Sequence, residues 1–108
     1  MSRLIQIKSN CTVALERCIR TCQNLISAYK YTSGMGDCIK QATICMEACV
    51  ECLDACESAQ FDRGINMCKC YEVCKASFRE FQKYDMEECQ GCVEACLLCI
   101  EELDNMIA

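Results

Sequence analysis

Fourteen of the fifteen cysteines in this 108-residue chain fall on stripes of helical period, one stripe in each of four predicted helices. Cys89, Cys92, Cys96 and Cys99 are spaced 3, 4, 3, and Cys45, Cys49, Cys52 and Cys56 are spaced 4, 3, 4. Alternation of three and four is the a/d seam of a helix packed in a bundle, where Leu and Ile ordinarily sit. A chain patterned in this way folds with its sulfur inside. The absence of Pro and the presence of only four Gly leave little to interrupt the helices. With no Trp, three Phe and four Tyr, cysteine must supply part of the core volume itself.

The spacing predicts a first helix from about Leu4 to Tyr31, with Leu4, Cys11, Leu15, Cys18, Cys22, Leu25 and Tyr29 facing inward. The segment from Thr32 to Asp37, carrying Gly34 and Gly36, breaks it, and Asp37 is a candidate N-cap. A second helix runs from about Asp37 to Ala59, with Cys38, Ala42, Cys45, Cys49, Cys52, Cys56 and Ala59 on one face. The next break lies around Gln60 to Gly64, with Asp62 as a candidate cap. A third helix, from about Arg63 to Lys83, turns Met67, Cys70, Cys74, Phe78 and Phe81 inward, and Cys68 lies roughly 100° from Met67 around the axis. After Tyr84, Asp85 and Glu88 form an acidic version of the capping box. The fourth helix, from about Met86 to Ile107, presents Cys89, Cys92, Cys96, Cys99, Leu103 and Met106. Short connections make neighbours antiparallel. The expected fold is all-α: one domain over residues 1–108, an antiparallel up-down-up-down four-helix bundle with a cysteine-lined core.

Several function classes drop out. A net charge of −5 with no basic run argues against general nucleic-acid binding. No 18-residue apolar run is present, which excludes a membrane-spanning helix. The first ten residues lack the apolar stretch of a signal peptide, so the expected location is the cytoplasm, where thiols stay reduced. There is no His to partner a catalytic thiol and no other nucleophile–base constellation, so the chain is not expected to be an enzyme.

What thiols at this spacing can do is hold soft metal ions. Five Cys-x-x-x-Cys pairs occur: Cys18/Cys22, Cys45/Cys49, Cys52/Cys56, Cys70/Cys74 and Cys92/Cys96. Helical residues four apart have Cβ atoms about 5–6 Å from one another. Two sulfurs of a linear site lie about 4.6 Å apart if the metal–sulfur bond is about 2.3 Å. One helical turn can therefore hold a two-coordinate ion; Cu(I) accepts that, whereas structural Zn²⁺ takes four ligands. The Cys-x-x-Cys steps Cys49/Cys52, Cys89/Cys92 and Cys96/Cys99 link successive pairs, so thiolates can bridge ions along the core. The candidate ligands are Cys11, Cys18, Cys22, Cys38, Cys45, Cys49, Cys52, Cys56, Cys68, Cys70, Cys74, Cys89, Cys92, Cys96 and Cys99. That supply corresponds to on the order of 10–15 Cu(I) per chain.

Other readings of the same residues stand beside this one. Cysteine is a small hydrophobe that fills cores, but fourteen on four stripes would waste volume and invite oxidation. A redox-responsive bundle locked by disulfides is a second reading, against which stand the odd cysteine count and the helical spacing. A Zn²⁺ or other d¹⁰ metal buffer, or iron–sulfur binding, is a third, against which stands the fact that zinc knuckles and ferredoxin loops draw their cysteines from turns. Met67 and Met106 fall on the stripes at the end holding Cys11, Cys56 and Cys68, and as thioethers they mark that end as the metal entrance. Tyr29, Phe78, Phe81 and Tyr84 gather at the other end as an apolar plug. Gly91 in the fourth helix suggests a close helix approach or a frayed first turn. Val93, Leu97 and Ile100 point outward, which suggests self-association.

The segments from Cys45 to Cys56 (CMEACVECLDAC) and from Cys89 to Cys99 (CQGCVEACLLC) resemble the bacterial copper storage proteins, and the lack of an export signal resembles their cytosolic branch. The likeness spans nearly the whole chain in length, helix number and inward cysteines. It implies a four-helix bundle, often a homotetramer, that stores many Cu(I) ions on the stripe cysteines. The chain departs from those proteins in having no His, which relatives often carry near the open end.

Overall fold

The computed structural model describes residues 9–58 and 63–107, which form four helices and no strand. Helix α1 spans Asn10–Tyr29, α2 spans Gly36–Glu57, α3 spans Arg63–Phe81 and α4 spans Glu87–Ile107. Consecutive helices pack against one another, and α4 closes the ring against α1. The register is antiparallel throughout. Ala14 of α1 meets Cys99 of α4, Thr21 meets Cys92, and Tyr29 meets Glu88. Gln41 of α2 meets Ser77 of α3, and Glu51 meets Lys69. The expected four-helix bundle is the observed one.

Helix ends follow local chemistry, with differences from the sequence expectation. Ser9 caps α1 by accepting a hydrogen bond from the Thr12 amide at 3.1 Å. Leu4 and the rest of the expected early start lie outside the described residues, as do Ala59 and Asp62. The chain leaves α1 at Lys30 and reverses through Gly34, whose φ of 87° lies in the left-handed region that suits glycine. Asp37 is not the cap of α2. The helix begins one residue earlier, Met35 takes the cap position without a side-chain bond, and Asp37 sits in the first turn, where negative charge is favourable. The capping box at Asp85 is not formed either. The Met86 carbonyl accepts from the amides of Cys89 and Gln90, and the Glu88 carboxylate is engaged by the Tyr29 hydroxyl.

The core consists of small residues. Ala14, Ala42, Ala48 and Ala95 line it beside the cysteines, and Leu15, Leu25, Leu103 and Phe81 are its largest fully buried members. Helices bearing such short side chains come close together, so thiols from different helices meet at the axis.

A sulfur-lined centre

Thirteen of the fifteen cysteines are buried, Cys56 is half-buried and Cys68 is exposed. From α1 come Cys11, Cys18 and Cys22; from α2, Cys38, Cys45, Cys49, Cys52 and Cys56; from α3, Cys70 and Cys74; from α4, Cys89, Cys92, Cys96 and Cys99. The three–four rhythm places each row on the inward face of its helix. Cys68 is the exception the spacing anticipated: it stands roughly 100° from Met67 and faces solvent.

Across the axis the sulfurs are close. Cys18 lies 3.6 Å from Cys45 and 4.0 Å from Cys96, and Cys45 lies 3.8 Å from Cys96. Cys49 and Cys70 are 3.9 Å apart, Cys70 and Cys74 4.0 Å, and Cys38 and Cys89 3.8 Å. With a metal–sulfur bond of about 2.3 Å, the S···S edge is about 3.8 Å around a tetrahedral ion, about 4.0 Å around a trigonal one and about 4.6 Å across a linear one. The observed spacings are contacts between packed thiols that also match such coordination edges, and they are far longer than a disulfide, whose sulfurs lie about 2.05 Å apart. All fifteen thiols are free. The Cys18–Cys45 edge is shared: Cys96 completes a triangle on it, while Cys49 and Cys74 complete a set of four with all donors within 4.8 Å of one another. Shared edges of this kind are what bridging thiolates require.

Burial opposes charge on these sulfurs. It pushes Cys11 up to about 12, with Cys52, Cys56 and Cys70 adding to the effect. It does the same to Cys38, also to about 12 with help from Cys89, and lifts Cys56 to about 11. Cys18 moves the other way, because hydrogen bonds from Cys22, Cys45, Cys49 and Cys74 favour its thiolate, and Cys22, Cys49 and Cys96 are held up by the same contacts with Cys18. Two thiols on α4 are parked on the backbone of α1: Cys92 donates to the Thr21 carbonyl at 3.3 Å and Cys99 to that of Ala14 at 3.2 Å. A thiolate has no proton to donate, so both hydrogen bonds are given up when these sulfurs bind an ion.

The two ends of the bundle differ. At one, Phe81 is fully buried and Tyr29, Phe78 and Tyr84 pack partly buried against the core. The Tyr84 hydroxyl donates to Glu80 Oε2 at 2.9 Å, and Lys83 pairs with the same carboxylate at 2.9 Å. At the other end stand Cys11, Met67, half-buried Cys56 and exposed Cys68. Met67 is inside, as expected. Met106 is not: it is 53 % exposed one residue before the end of α4, beyond Leu103, the last buried position of that stripe. Gly91 meets no neighbouring helix closely, since a Cβ there would find nothing within 4 Å.

One core residue escaped the sequence reading. Ser77, not Phe78, is the inward position of α3 and is fully buried, whereas Phe78 lies at the edge. Ser77 accepts a hydrogen bond from Gln41 Nε2 at 2.9 Å and donates to the Val73 carbonyl at 2.8 Å. The signal was available: Cys70, Cys74, Ser77 and Phe81 repeat the 4, 3, 4 rhythm of the cysteines on α2.

A family model described as "Csp: Copper storage protein" matches residues 1–108. Among solved structures, the Cu(I)-bound copper storage protein BsCsp3 is 25 % identical with a TM-score of 0.85, over 91 % of this chain and 95 % of that one. Apo-Csp3 from Bacillus subtilis superposes with a TM-score of 0.84 at 24 % identity, over 91 % of this chain and 96 % of that one. No curated protein gives a significant match.

Proposed function

This chain belongs to the copper storage protein family, and on that premise we propose that it stores many Cu(I) ions on thiolates lining the bundle axis. The carrying observation is the ladder of buried sulfurs from four helices, with cross-helix spacings of 3.6–4.0 Å in the middle of the core. Soft thiolate donors select Cu(I) over the harder ions of the cell. Each thiol gives up a proton on binding, so uptake acidifies the medium and weakens as pH falls. Each two-thiolate Cu(I) unit would carry a net negative charge in an apolar interior, and sharing sulfurs between ions reduces that penalty. Clusters follow.

The stripe cysteines are the proposed ligands, and Cys68 on the outer surface is at most a first contact. Ions pass in at the end holding Cys11, Met67 and Cys56, because the other end is closed by Phe81 and its tyrosines. With Met106 outside the stripe, Met67 is the thioether best placed to hand ions inward. The role is storage and buffering in the cytoplasm without catalysis, in a single domain over residues 1–108. Leu97, 43 % exposed between part-buried Val93 and Ile100, supports assembly with further copies into a homotetramer. No helix among the described residues is long and apolar enough to cross a membrane.

Anaerobic Cu(I) titration tests the reading. Saturation on the order of 10–15 ions per chain is the expected result, from the ligand supply. Saturation at one or two ions rejects it. Thiol counting on anaerobically purified protein separates storage from a disulfide-locked bundle: fifteen free thiols support the first.

A further inference from the structure

We propose that Cys18, Cys45, Cys49 and Cys74 form a tetrahedral tetrathiolate site for one divalent d¹⁰ ion, Zn²⁺, at mid-bundle, which Cu(I) displaces. All four are buried, and their sulfurs lie within 4.8 Å of one another. They come from three helices: Cys18 from α1, Cys45 and Cys49 from one turn of α2, and Cys74 from α3. The Cys18–Cys45 edge of 3.6 Å is already close to the ~3.8 Å edge that a 2.3 Å zinc–sulfur bond demands. Donors from three directions enclose a centre, which a linear or planar Cu(I) site does not need and four-coordinate Zn²⁺ does. Toward the aromatic end α3 offers Ser77 and Phe81 in place of further sulfur, so it contributes no thiol there beyond Cys74.

The chemistry balances without redox. One Zn²⁺ binds, four S–H bonds break, four protons leave, and the site gains a net charge of −2. That charge is the reason the ion is a temporary occupant. No cation is buried beside the site among the described residues, so the charge is poorly compensated in the core. Cu(I) thiolates that share sulfurs place less charge per ion there, and displacement returns Zn²⁺ to solution. The zinc site stands on its own geometry; only the displacement step rests on the copper reading.

The test is anaerobic titration of the reduced, metal-free full-length chain with Co²⁺ as a spectroscopic probe, then with Zn²⁺. Expected are the intense d–d bands of tetrahedral cobalt with thiolate charge transfer, saturating at one ion per chain and bleached by one equivalent of Zn²⁺. Cys74→Ser is expected to shift those bands and weaken binding by at least the ~10–100-fold that loss of even an outer-shell partner costs. Cys18→Ser is expected to do the same, and Cys89→Ser, altered outside the set, leaves the spectrum intact. Circular dichroism confirms that each variant folds. Octahedral cobalt spectra, saturation at several ions, or equal loss in Cys89→Ser would overturn the zinc site while leaving Cu(I) capacity untouched. Low Cu(I) capacity with a normal cobalt spectrum would overturn storage and the displacement step instead.

Discussion

Ser77 shows how a single atom sets the limit of the thiol row on α3. Its hydroxyl holds Gln41 and the Val73 carbonyl where another sulfur would extend Cys70 and Cys74. Ser77→Ala removes both bonds, but half-buried Gln41 can turn to water, so a loss of about 1 kcal/mol is expected from urea denaturation of the metal-free protein. Ser77→Cys is expected to raise Cu(I) capacity by on the order of one ion per chain. The buried thiols also make stability depend on pH. Cys11 and Cys38, held near 12, and Cys56, near 11, are raised above their ordinary value of 9.0. The folded state therefore binds these protons more tightly than the unfolded one. Their contribution is whole below about pH 9 and is lost as pH rises through 11 to 12. Denaturation of the reduced metal-free protein across that window is expected to show falling stability. Constant stability would mean the thiols are better solvated than their burial implies.

At the scale of the helix, period three-four was enough to place α2 and α4, whose rows Cys45–Cys56 and Cys89–Cys99 are dense. It was weaker on α3, where Phe78 drew the stripe by its size although the rhythm runs through Ser77. Hydrophobicity ranks Phe above Ser; a hydrogen-bonded serine reverses that order, and its partner Gln41 lies 36 residues away in sequence. Caps were the least legible. Asp37 and Asp85 are good capping residues in isolation, yet Gly34 sets where α2 begins and the Met86 carbonyl opens α4. Met106 kept the period of α4, but it stands exposed beyond Leu103, the last buried position of that stripe. The aromatic end has its own anchor in Phe81. Truncation to alanine leaves a cavity in the core, and a loss of about 3–5 kcal/mol is expected by denaturant titration of the metal-free chain.

For the whole molecule, the fold was readable because a single pattern recurs in every helix and short connections permit one topology. Which sulfurs meet was not readable. Cys38 against Cys89, and Cys18 against both Cys45 and Cys96, depend on the axial register of antiparallel neighbours. The exterior carries the proposal of assembly. Leu97→Glu places charge on the outward face of α4 and is expected to reduce the mass measured by light scattering at micromolar concentration. A native protein that is already monomeric would remove the basis for it.

If ions enter at the Cys11/Met67 end as proposed, the aromatic end makes the core a cul-de-sac. Atoms admitted early would then lie deepest, near Cys38 and Cys89, and would wait for those behind them to depart. Loading with one copper isotope, topping up with another and withdrawing part of the content by chelator is expected to return the newer isotope in excess. An even mixture would show that the ions trade places within the sulfur ladder faster than they leave it.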